Sequence, residues 1–250
     1  MSDLLLMSSA GGGGLPPSLR RGLVAWYDPW RQVNTTGEAQ TLTDYSGLGN
    51  HGTLGATTSA STDDPAWTGN SLKFDGVDDV VPIVWNPMPW NTQNGNSVMV
   101  VFKTAPDETG YYAVLGSANR RAALTYSYDN QDIRVGYSIP GMGEFALSMG
   151  GAFNDQILCV GAKQDVLSAT VEVSLYLAGV KSAFRSIAGG WTDNNYKFTH
   201  IGYGIYSISL TRAKGDIYLV LSWDRPLTDG EFAQAYAWAK RTLAPRGVTI

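Results

Sequence analysis

Acids, hydroxyls and imidazoles are the groups from which hydrolytic chemistry could be built. The glutamates are Glu38, Glu108, Glu144, Glu172 and Glu231, and none stands near another in the sequence. A retaining glycosidase needs two carboxyl groups about 5 to 5.5 Å apart across one bond. The neighbouring pairs Asp63-Asp64 and Asp78-Asp79 would point to opposite faces of a strand. A serine nucleophile needs a base and an orienting acid, yet no Gly-x-Ser-x-Gly turn occurs and His51 and His200 are the only histidines. The same two histidines nearly exclude a multi-histidine transition-metal site. No catalytic residue is expected, and the chain is not read as an enzyme.

Binding chemistry is better supplied. Asp44, Asp75, Asp78, Asp79 and Asp216 are hard oxygen donors and Asn50 adds an amide oxygen, the ligand types that calcium takes six to eight of. Aspartate and asparagine in glycine-rich turns also serve simply to bond the neighbouring backbone, so both readings stand. Trp30, Trp85, Trp90 and Trp191 lie in stretches rich in Pro, Asn or Gly instead of alternating runs, as do Tyr111 and Tyr112. An indole in a loop can stack on the C–H face of a sugar while nearby amides and hydroxyls bond its hydroxyl groups. It can equally seal the end of a core or a subunit interface. Trp26, Trp67, Trp223 and Trp238 read as core or near-core.

The elements that must position these residues are mostly strands. Charged residues make up 16% of the chain and glycine 29 of 250 residues, a balance suited to short strands and tight turns. Val171, Val173, Leu175 and Leu177 alternate with Glu172, Ser174 and Tyr176, which sends the aliphatic set to a core and the others outward. Ile217, Leu219, Leu221 and Trp223 repeat the pattern. Val98–Phe102 and Ile157–Val160 are apolar on both faces and read as central strands. Residues 124–128 and 133–137 suit a hairpin, and Ile201–Leu210 a strand bent at Gly202 and Gly204. Only the end looks helical: Thr228 stands three residues before Glu231, the reciprocal capping arrangement, ahead of Phe232, Ala235, Tyr236, Ala239 and Leu243.

A net charge of −4 provides no cationic surface for nucleic acid. No apolar run approaches the roughly 20 residues of a membrane helix. Asp3 sits where an export signal needs positive charge, so no signal peptide is expected. Cys159 lies in an apolar run and reads as a packed thiol. Residues 1–18 combine Leu4, Leu5, Leu6 and Met7 with Gly11 to Gly14 and Pro16-Pro17. They read as a flexible arm with an apolar tip, and residues 19–250 as one domain.

Three blocks carry a family likeness. Gly22-Leu23-Val24-Ala25-Trp26-Tyr27, Asp44-Tyr45-Ser46-Gly47-Leu48-Gly49-Asn50-His51-Gly52 and Leu72-Lys73-Phe74-Asp75-Gly76-Val77-Asp78-Asp79 resemble, in order and spacing, the laminin-G-like, concanavalin A-like jelly-roll domains. The segments at Gly179, Gly215–Tyr218 and Asp224–Glu231 resemble that family's closing elements. The likeness implies an all-β, two-sheet antiparallel sandwich with one short C-terminal helix. It also implies one structural calcium, at Asp44, Asn50, Asp75, Asp78 and Asp216. With the arm, the chain resembles bacteriophage virion surface proteins: capsid decorations, head fibres or tail-associated parts. The function expected on that basis is non-catalytic attachment. Leu4–Met7 would hold another virion protein, the domain would be displayed on the virion, and the chain would form a homo-oligomer. A carbohydrate-binding module using Trp30, Trp85, Trp90 and Trp191 on cell-surface glycans is the alternative, and a glycoside hydrolase the third reading.

Overall fold

The computed structural model describes residues 14–83, 88–89, 95–105, 110–117, 123–139, 143–151, 153–167, 170–188, 197–206 and 209–250. The arm residues Leu4, Leu5, Leu6 and Met7, and Trp85, Trp90 and Trp191, lie outside the described residues.

Period-2 patterning has produced two facing antiparallel sheets, the sandwich expected. The eight-stranded sheet runs Val180–Ala188, Thr170–Leu177, Ile157–Val166, Asn96–Thr104, Lys214–Trp223, Leu72–Asp75 and Ala66–Trp67, with Leu23–Tyr27 also pairing to Lys214–Trp223. The six-stranded sheet runs Gly143–Gly150, Asp132–Ile139, Ala123–Ser127, Tyr111–Gly116, His200–Ile201 and Val81–Pro82. Asn96–Thr104 is central, as its apolar run predicts. Val98, Val100 and Phe102 enter the core between the sheets, while Met99 and Val101 enter a second core on the outer face. The hairpin is also present, with Leu124 opposite Val135.

The second core exists because a helix covers the larger sheet. Asp229–Leu243 starts at the capping box: Thr228 Oγ accepts from the Glu231 N–H at 3.1 Å and the Thr228 N–H donates to Glu231 Oε2 at 2.8 Å. Arg225 Nη2 donates to Glu231 at 2.7 Å and holds its carboxyl down to about 2. Phe232, Ala235, Trp238, Ala239 and Leu243 are buried beneath, each large side chain contributing on the order of 1.5–3 kcal/mol. Phe232 stacks on Tyr176 with ring centroids 3.9 Å apart. Ser174 and Tyr176, expected to face outward, are therefore buried: alternation identifies two faces but not that a helix lies on the second. Cys159 lies in the same core, and burial pushes its thiol up to about 12.

Two boundaries differ from expectation. Pro17–Arg20 forms a helical turn with Leu15 and Leu19 fully buried, and the Trp223 indole N–H donates to the Leu19 carbonyl at 2.6 Å. Among the described residues, packing thus already includes Leu15, because two leucines at helical spacing find an apolar seat beside Trp223. The expected bent strand is instead the strand His200–Ile201 followed by a hairpin of Tyr203–Tyr206 with Ser209–Arg212. Gly202, at φ 78°, turns the chain where a side chain would be strained and would meet the Phe74 ring.

Candidate functional site

The Asp44 loop is a backbone clamp. Oδ1 accepts from the Trp26 and Ser46 N–H groups, both at 2.9 Å; Oδ2 accepts from the Asn50 N–H at 2.9 Å and the Ser46 hydroxyl at 2.7 Å. Asn50 donates its amide to the Val24 carbonyl at 2.6 Å, and its own carbonyl accepts from Tyr27. With four donors on one carboxylate, Asp44 offers a cation no open oxygen. The Asp44 carboxylate is thus spent on ordering this turn.

The second acidic loop differs. Ligand oxygens of Asp75, Asp78 and Asp79 lie within 4.8 Å of one another, and this donor set fits a hard cation. Asp79 Oδ2 accepts from the Asp75 N–H at 2.6 Å, and Asp75 Oδ1 from the Val77 N–H at 2.7 Å. Burial and then the charges of Asp75, Asp78 and Asp64 push the Asp79 carboxyl up to about 6. Asp216 is engaged elsewhere, accepting from the Ser71 hydroxyl at 2.7 Å. Of the expected metal residues the fold thus brings together Asp75 and Asp78, with Asp79.

Each described aromatic of these stretches already has a protein partner, and Tyr111 and Tyr112 lie in a strand. The Arg246 guanidinium lies 4.1 Å from the centre of the half-buried Trp30 ring. Arg134 lies 5.2 Å from the Tyr111 ring, whose hydroxyl accepts from Asn130 Nδ2 at 3.0 Å. Tyr112 meets Tyr128 edge-on at 4.9 Å and packs against the sandwich core. The histidines are structural too. His51 Nδ1 accepts from the Asp44 N–H at 3.0 Å, and His200 is brought down to about 4 by burial and then by Arg212.

Two concave regions lined by described residues differ in size. The cleft between the sheets, lined by residues including Phe102, Tyr112, Tyr126, Tyr128 and Ile217, has about 10 Å³, room for about one water. A surface depression of about 320 Å³ is lined by Glu38, Ala39, Gln40, Leu54, Asp64, Pro65, Ala66 and Trp67. Its wall is held by the short edge strand Ala66–Trp67, paired to Leu72–Lys73, and by the Leu54 N–H donating to the Gln40 carbonyl at 2.8 Å. Trp67 is half-buried against the sandwich core, and among the described residues no cation or second ring lies on it. Gln40 Nε2 donates to Asp64 Oδ2 at 2.6 Å, and that oxygen also accepts from the Ser61 N–H at 3.0 Å. Gln40 Oε1 and Asp64 Oδ1 are buried and have no hydrogen-bond partner.

Sequence reasoning read Trp67 as core or near-core, in keeping with its packing against the sandwich core, weighed Glu38 and Asp64 only as catalytic acids, and did not single out Gln40. The available signal was that Pro65-Ala66-Trp67-Thr68-Gly69 is as turn-rich as the stretches around the other loop tryptophans.

No family model and no curated protein matches the chain. Solved structures match its fold. The botulinum neurotoxin serotype D binding domain superposes with a TM-score of 0.61 at 15% identity over 88% of this chain and 52% of that one. The type C neurotoxin, whose cell entry depends on interaction with two ganglioside molecules, gives 0.58 at 10% over 88% and 52%. The Trypanosoma rangeli sialidase gives 0.61 at 14% over 90% and 33%. The chain thus spans about half the length of the toxin chains and a third of the sialidase. What it shares with all of them is the sandwich fold.

Proposed function

We propose that the chain is a non-catalytic carbohydrate-binding module. One observation carries the reading: the depression in which the half-buried Trp67 indole, with no cation or second ring on it among the described residues, shares a wall with the exposed Glu38. A sugar ring offers an apolar C–H face to the indole and hydroxyl groups to the exposed Glu38 carboxylate. The ganglioside interaction of the type C toxin gives a precedent for glycan recognition on this fold.

The non-catalytic reading is supported by the distance in the fold between the depression and the one carboxyl, among the described residues, whose titration is raised. Asp79 has the raised carboxyl that a general acid needs, yet it is 4% exposed, bonded to its own turn, and not part of the depression's lining. A structural calcium, which the sequence resemblance implies, would on this reading be held by Asp75, Asp78 and Asp79 and would neutralise their mutual repulsion. The virion setting is supported by the composition of the leader. Deleting residues 1–13 should release the protein from virions and leave the domain folded, while unchanged incorporation would refute the setting.

The test of function is titration of the purified chain against a panel of neutral, amino and acidic oligosaccharides, alongside Trp67→Ala. Binding that weakens by about tenfold or more in the variant supports the reading. Failure of every glycan to bind, or equal binding by the variant, overturns it.

A further inference from the structure

On one flank of the sandwich both sheets end. The eight-stranded sheet stops at Val180–Ala188 and the six-stranded sheet at Gly143–Gly150, and among the described residues neither strand has a neighbour on its outer side. The two edges lie one above the other: Arg185 Nη1, on the edge of the larger sheet, donates to the Ala146 carbonyl on the edge of the smaller at 3.5 Å.

Burial changes abruptly here. Five of the eight residues of Thr170–Leu177 are buried, whereas in the strand paired to it Val180, Lys181, Ser182, Phe184, Arg185 and Ser186 are all exposed. Two of them are large and apolar, Val180 at 66% and Phe184 at 51% exposure. A free edge strand presents a row of unpaired N–H and C=O groups, and chains that stay single guard such a row with charges, proline or cover. On this edge the guard is turned aside. Residues 180–186 contain no proline. Lys181 Nζ is drawn to Asp229 at 3.0 Å and lies 5.9 Å from the centre of the Tyr176 ring, and Arg185 reaches toward the other sheet. The lower edge carries the small residues Ala146, Ser148 and Gly150.

The order of side chains along the strand names the partner. A strand paired with its own copy runs antiparallel about a two-fold axis. With the axis at Phe184 the two phenyl rings meet, each Arg185 stands opposite an Ala183 and each Ser186 opposite a Ser182, so no like charges face each other. An axis one residue further along would set the two Arg185 guanidiniums against each other. The flank is also large enough. The strand's nine residues span about 30 Å and two stacked sheets with their side chains about 20 Å, so a second copy buries about 600 Å² on each partner, about the 1,200 Å² total at which specific interfaces begin.

We infer that this flank is the self-association surface of the chain: two copies join antiparallel along Val180–Ala188 about a two-fold axis at Phe184, and the larger sheet runs on through the dimer. The strand Ala66–Trp67 forms the opposite edge of the same sheet, so each dimer carries its two Trp67 depressions at its far ends, both open. The inference stands apart from the carbohydrate-binding reading.

The experiment is sedimentation equilibrium of the full chain from about 1 to 100 μM, alongside Phe184→Glu and two single substitutions, Phe184→Cys at the axis and Leu48→Cys at an exposed site in the Asp44 loop. Cys159 is buried beneath the helix and does not compete for oxidation. The natural chain should dimerise, with self-association at least about tenfold weaker in Phe184→Glu. Oxidation should cross-link Phe184→Cys into dimers and leave Leu48→Cys monomeric. A natural chain that is monomeric throughout that range, a trimer, an association that Phe184→Glu leaves unchanged, or cross-linking no faster at Phe184→Cys than at Leu48→Cys overturns the inference. Should Phe184→Glu fail to fold, the cysteine pair decides.

Discussion

Gln40 Nε2 donates to Asp64 Oδ2 at 2.6 Å, and this one bond leaves each side chain with a buried oxygen that nothing donates to. The pair is thus half satisfied, an expensive state for groups withdrawn from water.

That relationship can be tested by removing its donor. Gln40→Glu places a carboxylate against Asp64, and two carboxylates in contact cannot both ionise cheaply. The variant should match the natural protein near pH 4, where one of the pair carries a proton, and lose about 1–3 kcal/mol by pH 8. Urea unfolding at the two pH values checks this; equal losses at both would show that the contact is not electrostatic.

The buried pair of Asp28 with Arg246 makes a larger claim. Arg246 Nη1 and Nη2 reach the two Asp28 oxygens at 2.7 and 3.1 Å, with side chains 6% and 1% exposed. Asp28 also caps the helix Pro29–Thr35 by accepting from the Arg31 N–H at 3.1 Å. Arg246→Ala strands a buried carboxylate and should cost about 3–5 kcal/mol. The same change uncovers the Trp30 ring, so its emission should shift to the red. A loss under about 1 kcal/mol would mean the pair is solvated.

Asp79 gives a pH prediction with a definite sign. Its folded value, about 6, stands above the ordinary 3.8, so the folded state holds the proton more tightly than the unfolded chain. That contribution is whole below about pH 4 and is lost as pH rises to about 6 and beyond. Asp79→Asn keeps an oxygen for the Asp75 N–H and removes the charge. It should be more stable than the natural protein at pH 7 by about 1–3 kcal/mol and no more stable at pH 4. Thermal unfolding across this range decides it, and a variant less stable at pH 7 contradicts it. The same two proteins test the cation: calcium bound at this turn raises the unfolding midpoint of the natural protein and leaves Asp79→Asn unmoved.

Much of the fold was legible because the patterns are local. Alternation at Val171–Leu175, the doubly apolar run at Val98–Phe102 and the Thr228/Glu231 cap each name their element without help from the rest of the chain. The helix layer over Tyr176 was not legible, since it depends on two segments meeting far apart in sequence. The depression was illegible for the same reason: Gln40 and Asp64 are joined only by the fold, and nothing in either short stretch announces the other. The aspartate motifs were legible as a pattern but ambiguous in role. Asp44 serves the backbone and Asp75, Asp78 and Asp79 form a cluster, a division set by which N–H groups each turn aims inward.

The site itself is reached most directly by nuclear magnetic resonance on the intact chain labelled with nitrogen-15, titrated with the panel of neutral, amino and acidic oligosaccharides. A sugar seated in the depression moves the Trp67 indole and Gln40 side-chain amide signals together and to saturation, while the Trp223 indole, bonded to Leu19 on the far side of the sheet, stays fixed. Shifts confined to other parts of the surface, or none at any concentration, would contradict it.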